Sequence, residues 1–69
     1  MEDKENTLYK LGNKFRKARE AAGLTQLDVA NKADINVNYY AQVERGEVNV
    51  SYEKIKRISK VLKIKTIEM

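Results

Sequence analysis

The sequence predicts an all-α fold, with one small domain of four helices and the start of a fifth. Apolar residues recur at intervals of three and four along most of the chain, without the sustained alternation that is typical of strands. Candidate helix caps and stops follow one another closely, so the connections between helices are short. A chain of 69 residues has room for one modest core. We therefore expect a flexible tail at residues 1–6 and a helical domain at residues 7–69.

The first helix is predicted over about residues 8–22. One face of such a helix carries apolar side chains at helical spacing, namely Leu8, Leu11, Phe15, Ala18 and Ala22. Gly23 follows as a left-handed stop. Gly12 lies inside the helix, where a glycine costs about 1 kcal/mol relative to alanine. Close packing against another helix would explain its presence.

The second and fourth helices begin at recognisable N-caps. Thr25 precedes the second helix, predicted over residues 26–33, and Asp28 completes a short variant of the capping box. Ser51 precedes the fourth helix, predicted over residues 52–62. The residues expected to be buried are Val29, Ala30 and Ala33 in the second helix and Ile55, Ile58 and Leu62 in the fourth.

The third helix is predicted over residues 37–45, between Asn36 as its N-cap and Gly46 as its stop. Two adjacent tyrosines lie within it. Neighbouring residues on a helix point about 100° apart, so both rings cannot face the core. Tyr40 lies on the apolar face of the helix and is predicted to be buried, whereas Tyr39 is predicted to face outward.

Positive charge is concentrated towards the C-terminus. The net charge is +4, but the first six residues carry three acids and one lysine, which leaves thirteen basic and seven acidic residues in the rest. Residues 54–65 contain six basic residues and no acid. Such a surface suits nucleic acid, an anionic membrane or an acidic partner, and a solvated lysine-rich face is the alternative interpretation.

The residue types argue against an enzyme or a metalloprotein. The chain has no histidine or cysteine, so it lacks the usual zinc ligands and the commonest acid–base and thiol groups. No phosphate-binding glycine motif occurs. We therefore expect no catalytic residue, no metal and no cofactor. The apolar runs are too short to span a membrane and the polar N-terminus does not resemble a signal peptide, which predicts a cytoplasmic protein.

Two short helices joined by a turn of three or four residues have the spacing of a helix-turn-helix. The segment "AGLTQLDVA", the "VERG" at residues 43–46 and the preceding "LGNKFRKARE" together resemble the Cro/phage-repressor (XRE) family of helix-turn-helix DNA-binding proteins. The similarity covers residues 8–69. It implies a lambda-repressor-like domain that binds duplex DNA sequence-specifically and regulates transcription, by default as a repressor. Tyr39 and the "NVS" at residues 49–51 also resemble restriction–modification controller proteins, for which activation is a second outcome.

For base readout, the resemblance implies residues at the start of the third helix and one turn further along, which are Val37, Asn38 and Gln42. Asn38 and Gln42 are four residues apart and share a face, and each amide can pair with N6 and N7 of adenine. Val37 offers only apolar contact, for instance to a thymine methyl group. Ala41 and Arg45 lie on the flanks of this face.

For the DNA backbone, the predicted contacts are Gln26, Tyr39, Arg45, Asn49, Ser51, Tyr52 and Lys54. Several of these residues lie at helix starts, where free N–H groups favour phosphate. For Arg45, capping of the carbonyl groups at the helix C-terminus is the alternative. The resemblance also implies that the third helix, residues 37–45, is a recognition helix that enters the major groove, and that a structural ion pair between Arg19 and Glu44 orients it.

Members of this family usually bind near-palindromic sites as dimers, because one recognition helix reads only a few base pairs. We therefore expect a homodimer on a near-palindromic operator in double-stranded DNA. The candidate dimer patch is Ile64, Ile67 and Met69, and closing the core is the alternative role of these residues. A short fifth helix is predicted over residues 67–69. The chain ends there, so a very small regulator and the DNA-binding domain of a longer protein both fit the sequence.

The alternative function is a protein-interaction module of the same fold, such as an antitoxin or an adaptor, with weak DNA binding. Exposed Leu27, Val37 and Tyr39 would favour that reading, whereas the polar recognition helix and the basic loop favour DNA. A membrane-surface helix over residues 52–65 would need a leucine-rich or aromatic face, which the sequence lacks there.

Overall fold

The computed structural model of the protein describes residues 4–64. This part of the chain contains four α-helices and no strand, as predicted. The helices are α1 (Lys4–Ala21), α2 (Gln26–Ala33), α3 (Val37–Glu44) and α4 (Tyr52–Leu62). The fifth helix predicted over residues 67–69 lies outside the described residues. None of the helices described is long and apolar enough to cross a membrane.

The first helix is the element whose ends differ most from the prediction. It begins at Lys4, so residues 4–6 are helical although they were predicted to belong to the tail. No proline or glycine, the residues that break helices, occurs in this stretch. The helix ends at Ala21, and the prediction that Ala22 joins its buried stripe is wrong because that residue is exposed. The chain leaves the helix there, in a turn that Gly23 continues with a positive φ of 72°.

Gly12 is the point where α1 crosses α3. A Cβ atom at this position would lie 2.8 Å from the carbonyl carbon of Glu44 and even closer to the carbonyl oxygens of Val43 and Glu44. Side chains do not tolerate contacts this short with a backbone. The close packing predicted for Gly12 is therefore confirmed, because only glycine lets these two helices approach so closely.

The N-caps predicted for α2, α3 and α4 are all confirmed. The Thr25 hydroxyl accepts a hydrogen bond from the N–H of Asp28 (3.0 Å), and the Asp28 carboxylate accepts one from the N–H of Thr25 (2.9 Å). The Asn36 side chain accepts from the two amides at the start of α3, at 2.8 and 3.1 Å. The Ser51 hydroxyl accepts from the amide three residues later, at 3.3 Å. Each bond satisfies an amide that the helix itself leaves without a partner.

The core draws on all four helices. Its buried apolar residues are Leu11, Phe15, Val29, Ala30, Ala33, Tyr40, Val43, Ile58 and Leu62. The predicted burial of the α2 residues and of Tyr40 is confirmed, whereas Ile55 is only half-buried. Ser59 is buried although no pattern predicted it. A small hydroxyl side chain beside Ile58 can be enclosed with little loss of packing.

The third helix, α3, is held from two sides. α3 packs against both α1 and α2, while α4 packs mainly against α1 and α2. This arrangement leaves one face of α3 outside the packed interior, and the N-terminus of α4 lies close to that face, as the contacts below show.

Candidate nucleic-acid interface

The outer face of α3 presents two amide side chains. Asn38 is exposed and Gln42 is half-exposed, one helical turn further along. Neither side chain forms a hydrogen bond with another residue in the described part of the chain. Both amides therefore keep their donors and acceptors for an outside partner.

Val37 and Tyr39 are less available than their neighbours. Both side chains are half-buried and pack against the core. Burial raises the pKa of the Tyr39 hydroxyl. The Lys54 ammonium group lies 5.3 Å from the centre of the Tyr39 ring, a cation–π contact. Two residues predicted to contact the DNA backbone, one in α3 and one at the start of α4, are thus brought together.

An ion pair between Arg19 and Glu44 connects α1 to the last turn of α3. The guanidinium Nε donates to one carboxylate oxygen at 2.7 Å and Nη2 donates to the other at 3.2 Å. The side chains are 14% and 3% exposed. Arg19 also donates to the carbonyl oxygen of Leu24 at 3.0 Å. The hydrogen bond with Glu44 raises the pKa of Arg19, so the group stays charged.

Gln26 joins this ion pair, which sequence reasoning did not predict. Its side-chain nitrogen donates to Glu44 Oε1 at 2.9 Å, so the first residue of α2 is tied to the end of α3. Burial alone would raise the pKa of Glu44. The hydrogen bonds from Arg19 and Gln26, together with the nearby Tyr40 hydroxyl, outweigh that effect and lower the pKa. The Gln26 amide has a second hydrogen, which remains available to an anion.

Tyr40 places a hydroxyl group next to this network. The ring is fully buried, and the oxygen makes no hydrogen bond of acceptable length and angle with any described residue. Burial raises the pKa of Tyr40, and the neighbouring Glu44 carboxylate raises it further. The group is therefore neutral, and its desolvation is poorly compensated.

Arg45 follows α3 and turns towards the loop. Its Nε lies 3.0 Å from a carboxylate oxygen of Glu47, and both side chains are about half exposed. The side chain does not cap the carbonyl groups of α3, which was one of the two predicted roles. The hydrogen bond with Glu47 raises the pKa of Arg45 and lowers that of Glu47.

The remaining predicted backbone contacts lie in or next to the loop between α3 and α4. Asn49, Ser51 and Tyr52 are exposed. Lys56 lies over the ring of Tyr52, 5.4 Å from its centre. The residues described contain no cluster of acidic side chains that could hold a metal ion. The chemistry of this surface is that of amides, cations and aromatic rings.

Comparison with known proteins identifies the family. Residues 15–69 match the family model described as "Helix-turn-helix". The chain belongs to this helix-turn-helix family of DNA-binding regulators.

Two relatives indicate which kind of helix-turn-helix protein this chain resembles. Control protein C.MunI from Mycoplasma sp is 36% identical over 61 residues, which cover 87% of this chain and 82% of that protein. The restriction–modification controller protein C.AhdI from Aeromonas hydrophila has a crystal structure that superposes with a TM-score of 0.85. It is 35% identical in sequence, and the match covers 91% of this chain and 96% of C.AhdI. The predicted resemblance to XRE-type proteins, and to controller proteins among them, is confirmed.

The comparisons also bear on the prediction that the protein is not an enzyme. The family consists of DNA-binding regulators and is not an enzyme family.

Of the candidate dimer patch, only Ile64 is described by the structure. It is half-buried and packs against the core, which is the alternative role given to it above. Ile67 and Met69 lie outside the described residues.

Proposed function

We propose that this protein is a sequence-specific transcriptional regulator of the controller type, which places α3 in the major groove of duplex DNA. The observation that carries the proposal is the contrast between the two sides of α3. Its inner side is fixed by the bonds of Arg19 and Gln26 to Glu44, while Asn38 and Gln42 remain unengaged on the outer side. A rigidly held helix with unpaired amides is suited to base readout.

Base readout in this proposal rests on the two amides. An asparagine or glutamine amide can form paired hydrogen bonds with N6 and N7 of adenine, so Asn38 and Gln42 would each prefer adenine. Val37 is half-buried, so its contribution is limited to apolar contact with one edge of a base. Discrimination of about 1–3 kcal/mol for each good amide–adenine pair is expected.

Backbone binding would flank the reading face on both sides. On one side, Gln26 at the start of α2 offers its second amide hydrogen and the free N–H groups of a helix N-terminus. On the other side, Lys54 and Tyr39 lie together next to the start of α4. Asn49, Ser51 and Tyr52 extend this second group. Phosphate contacts of this kind set the orientation of α3 on the duplex but carry no sequence information.

A homodimer on a near-palindromic operator completes the proposal. An eight-residue recognition helix spans only a few base pairs, and pairing two copies doubles the reading surface. Repression by blocking polymerase is the default outcome, and activation is the second. We expect the protein to work in the cytoplasm. Sedimentation of the protein on its selected DNA at rising concentration tests the stoichiometry, and a strict monomer would remove the palindrome from the proposal.

The competing function, a protein-interaction module, is less well supported than the proposed one. Of the three apolar side chains that would favour it, Leu27 is 53% exposed, but Val37 and Tyr39 are half-buried against the core. A single exposed leucine is common on protein surfaces. We therefore keep DNA reading as the function that the geometry supports best.

The deciding experiment is selection of bound sequences from a pool of random duplexes at two salt concentrations. Enrichment of one near-palindromic motif at both concentrations is the expected result. Binding that shows no enriched motif and vanishes at the higher salt would indicate purely electrostatic attraction, and the proposal would fail.

A further inference from the structure

A polar cleft of about 580 Å³ lies beside the end of α3, on the side that faces α1. Three arginines and two glutamates line it, together with Gln26 at the start of α2. The cleft therefore adjoins one of the two flanks that the proposed function assigns to the DNA backbone.

The charges in this cleft are not equivalent. Arg19 and Glu44 form the nearly buried pair that holds α3 in place. Arg45 and Glu47 form an outer pair, 56% and 51% exposed, at the rim. Arg16 is exposed and donates to the side chain of Asn13 at 2.6 Å, with no carboxylate partner among the described residues. The cleft as a whole keeps a positive charge.

The carboxylate of Glu47 lies 3.0 Å from Nε of Arg45. Arg45 lowers the pKa of Glu47, so the carboxylate stays ionised at neutral pH. An exposed pair of this kind contributes little to stability, because both charges are well solvated when apart. It can therefore open at small cost when a competing anion arrives.

We propose that Glu47 limits the affinity of this protein for DNA by occupying Arg45 until a backbone phosphate displaces it. The inference rests on the proposed function. It assigns a role to Glu47, which lies outside α3 and is not one of the helix caps. A backbone phosphate carries one negative charge, as the carboxylate does, so the exchange is favoured by what surrounds the phosphate. These surroundings are the neighbouring phosphates of the duplex, the counterions released on binding and the nearby N-terminus of α2. After the exchange, the displaced carboxylate remains close to the phosphate and opposes its binding.

Replacing Glu47 by glutamine keeps the size of the side chain and removes its charge. Glu47→Gln is expected to strengthen binding to any duplex by a factor of about three to ten at low salt. The gain should be the same for the selected operator and for a random duplex, since a phosphate contact is independent of sequence. The slope of log affinity against log salt should become steeper by up to about 0.9, because the complex no longer holds a carboxylate beside the phosphate that Arg45 neutralises.

Two controls separate this exchange from a general change in charge. Glu20→Gln makes the same change in net charge at an exposed residue of α1 that does not line the cleft, and it should give a much smaller gain. Arg45→Ala, made alone and together with Glu47→Gln, tests whether Glu47 acts through Arg45. In the Arg45→Ala background, the gain from Glu47→Gln should shrink to that of the Glu20→Gln control. All the changes are at exposed positions, and thermal melting verifies that each variant is folded.

The outcomes are distinguishable. If the protein binds DNA but Glu47→Gln changes neither affinity nor salt slope, the inference is overturned and the proposed function stands. Persistence of the full gain without Arg45 would also overturn the inference, because Glu47 would then act only as a general negative charge. If the unaltered protein binds no duplex at either salt concentration, the proposed function itself fails, and the inference falls with it.

Discussion

Arg19 and Glu44, 25 residues apart in the chain, are joined by two hydrogen bonds of 2.7 and 3.2 Å. Glu44 also accepts a hydrogen bond from Gln26. A single carboxylate therefore connects α1, the start of α2 and the end of α3. The orientation of α3 depends on this carboxylate.

Arg19→Ala should destabilise the fold by about 3–5 kcal/mol, because it leaves the nearly buried Glu44 carboxylate without its main partner. A loss of this size approaches the total stability of a small domain. Arg19→Lys should cost less but still a measurable amount, since lysine cannot form the paired bonds of a guanidinium. Urea denaturation followed by circular dichroism provides the free energies of unfolding.

The matched control for Arg19 is Arg57, whose pair with Glu53 is 3.1 Å long but has side chains 41% and 75% exposed. Arg57→Ala should cost less than about 1 kcal/mol. Equal losses for the two alanine variants would contradict the structural role given to the Arg19 pair.

Stability should fall in acid because of Glu44. Its folded-state pKa lies below the ordinary value of 4.5, so its contribution is fully present above that pH and is lost as the pH drops through the folded-state pKa. Hydrogen bonds with Thr25 also lower the pKa of Asp28, so this group makes stability fall in acid as well. The free energy of unfolding should stay nearly constant from about pH 7 to pH 5 and then decline.

Glu44→Gln isolates the part of this pH dependence that comes from the buried carboxylate. The variant is expected to be less stable at neutral pH but to lose less stability on acidification. Urea titrations between neutral and acidic pH measure both quantities. An unchanged acid profile would mean that the dependence arises elsewhere in the chain.

Tyr40→Phe should leave stability unchanged within about 0.5 kcal/mol. The hydroxyl is buried without a well-formed hydrogen bond, so the desolvation free energy recovered by its removal offsets the loss of its stabilising effect on the Glu44 carboxylate. Thermal and urea unfolding of the variant check the prediction. A loss above about 1.5 kcal/mol would show that the hydroxyl bonds firmly to the Glu44 carboxylate in solution.

Gly12→Ala should destabilise the protein by about 1–3 kcal/mol, even though alanine is the better helix former. The added methyl group would meet the backbone of Val43 and Glu44, which cannot move without shifting α3. Lys14→Ala, at an exposed position of the same helix, should change stability by less than about 0.5 kcal/mol. Because the expected shift concerns α3, the Gly12 variant should also lose DNA affinity in a binding titration.

Gln42→Ala should reduce operator affinity by about 1–3 kcal/mol and relax the base preference at one position in each half-site. Lys54→Ala should weaken binding to all duplexes alike and reduce the salt slope by about 1. Titrations with the selected operator and its single-base variants distinguish the two patterns. A uniform loss for Gln42→Ala would exclude it as a base-reading residue.

Local features of the fold were predictable because they depend on neighbours in the chain. The N-caps at Thr25, Asn36 and Ser51 bond to amides two or three residues away, so the sequence contains both partners. The starts of α2 and α4 follow directly from them. The start of α1 differs most from the prediction, because the helix begins at Lys4 and not near Leu8.

The fold class, the helix caps, the buried face of α2 and the family follow from the sequence, because helical periodicity, capping and motif spacing are local properties. How the surface side chains are engaged follows only from the packing of the helices. Gln26 turns inward to Glu44, Tyr39 lies under Lys54, and Arg45 is held by Glu47. The first two contacts join residues far apart in the chain, and the third depends on how the loop leaves α3. The geometry of the first two contacts is set by the crossing of packed helices, which no single segment of the sequence encodes.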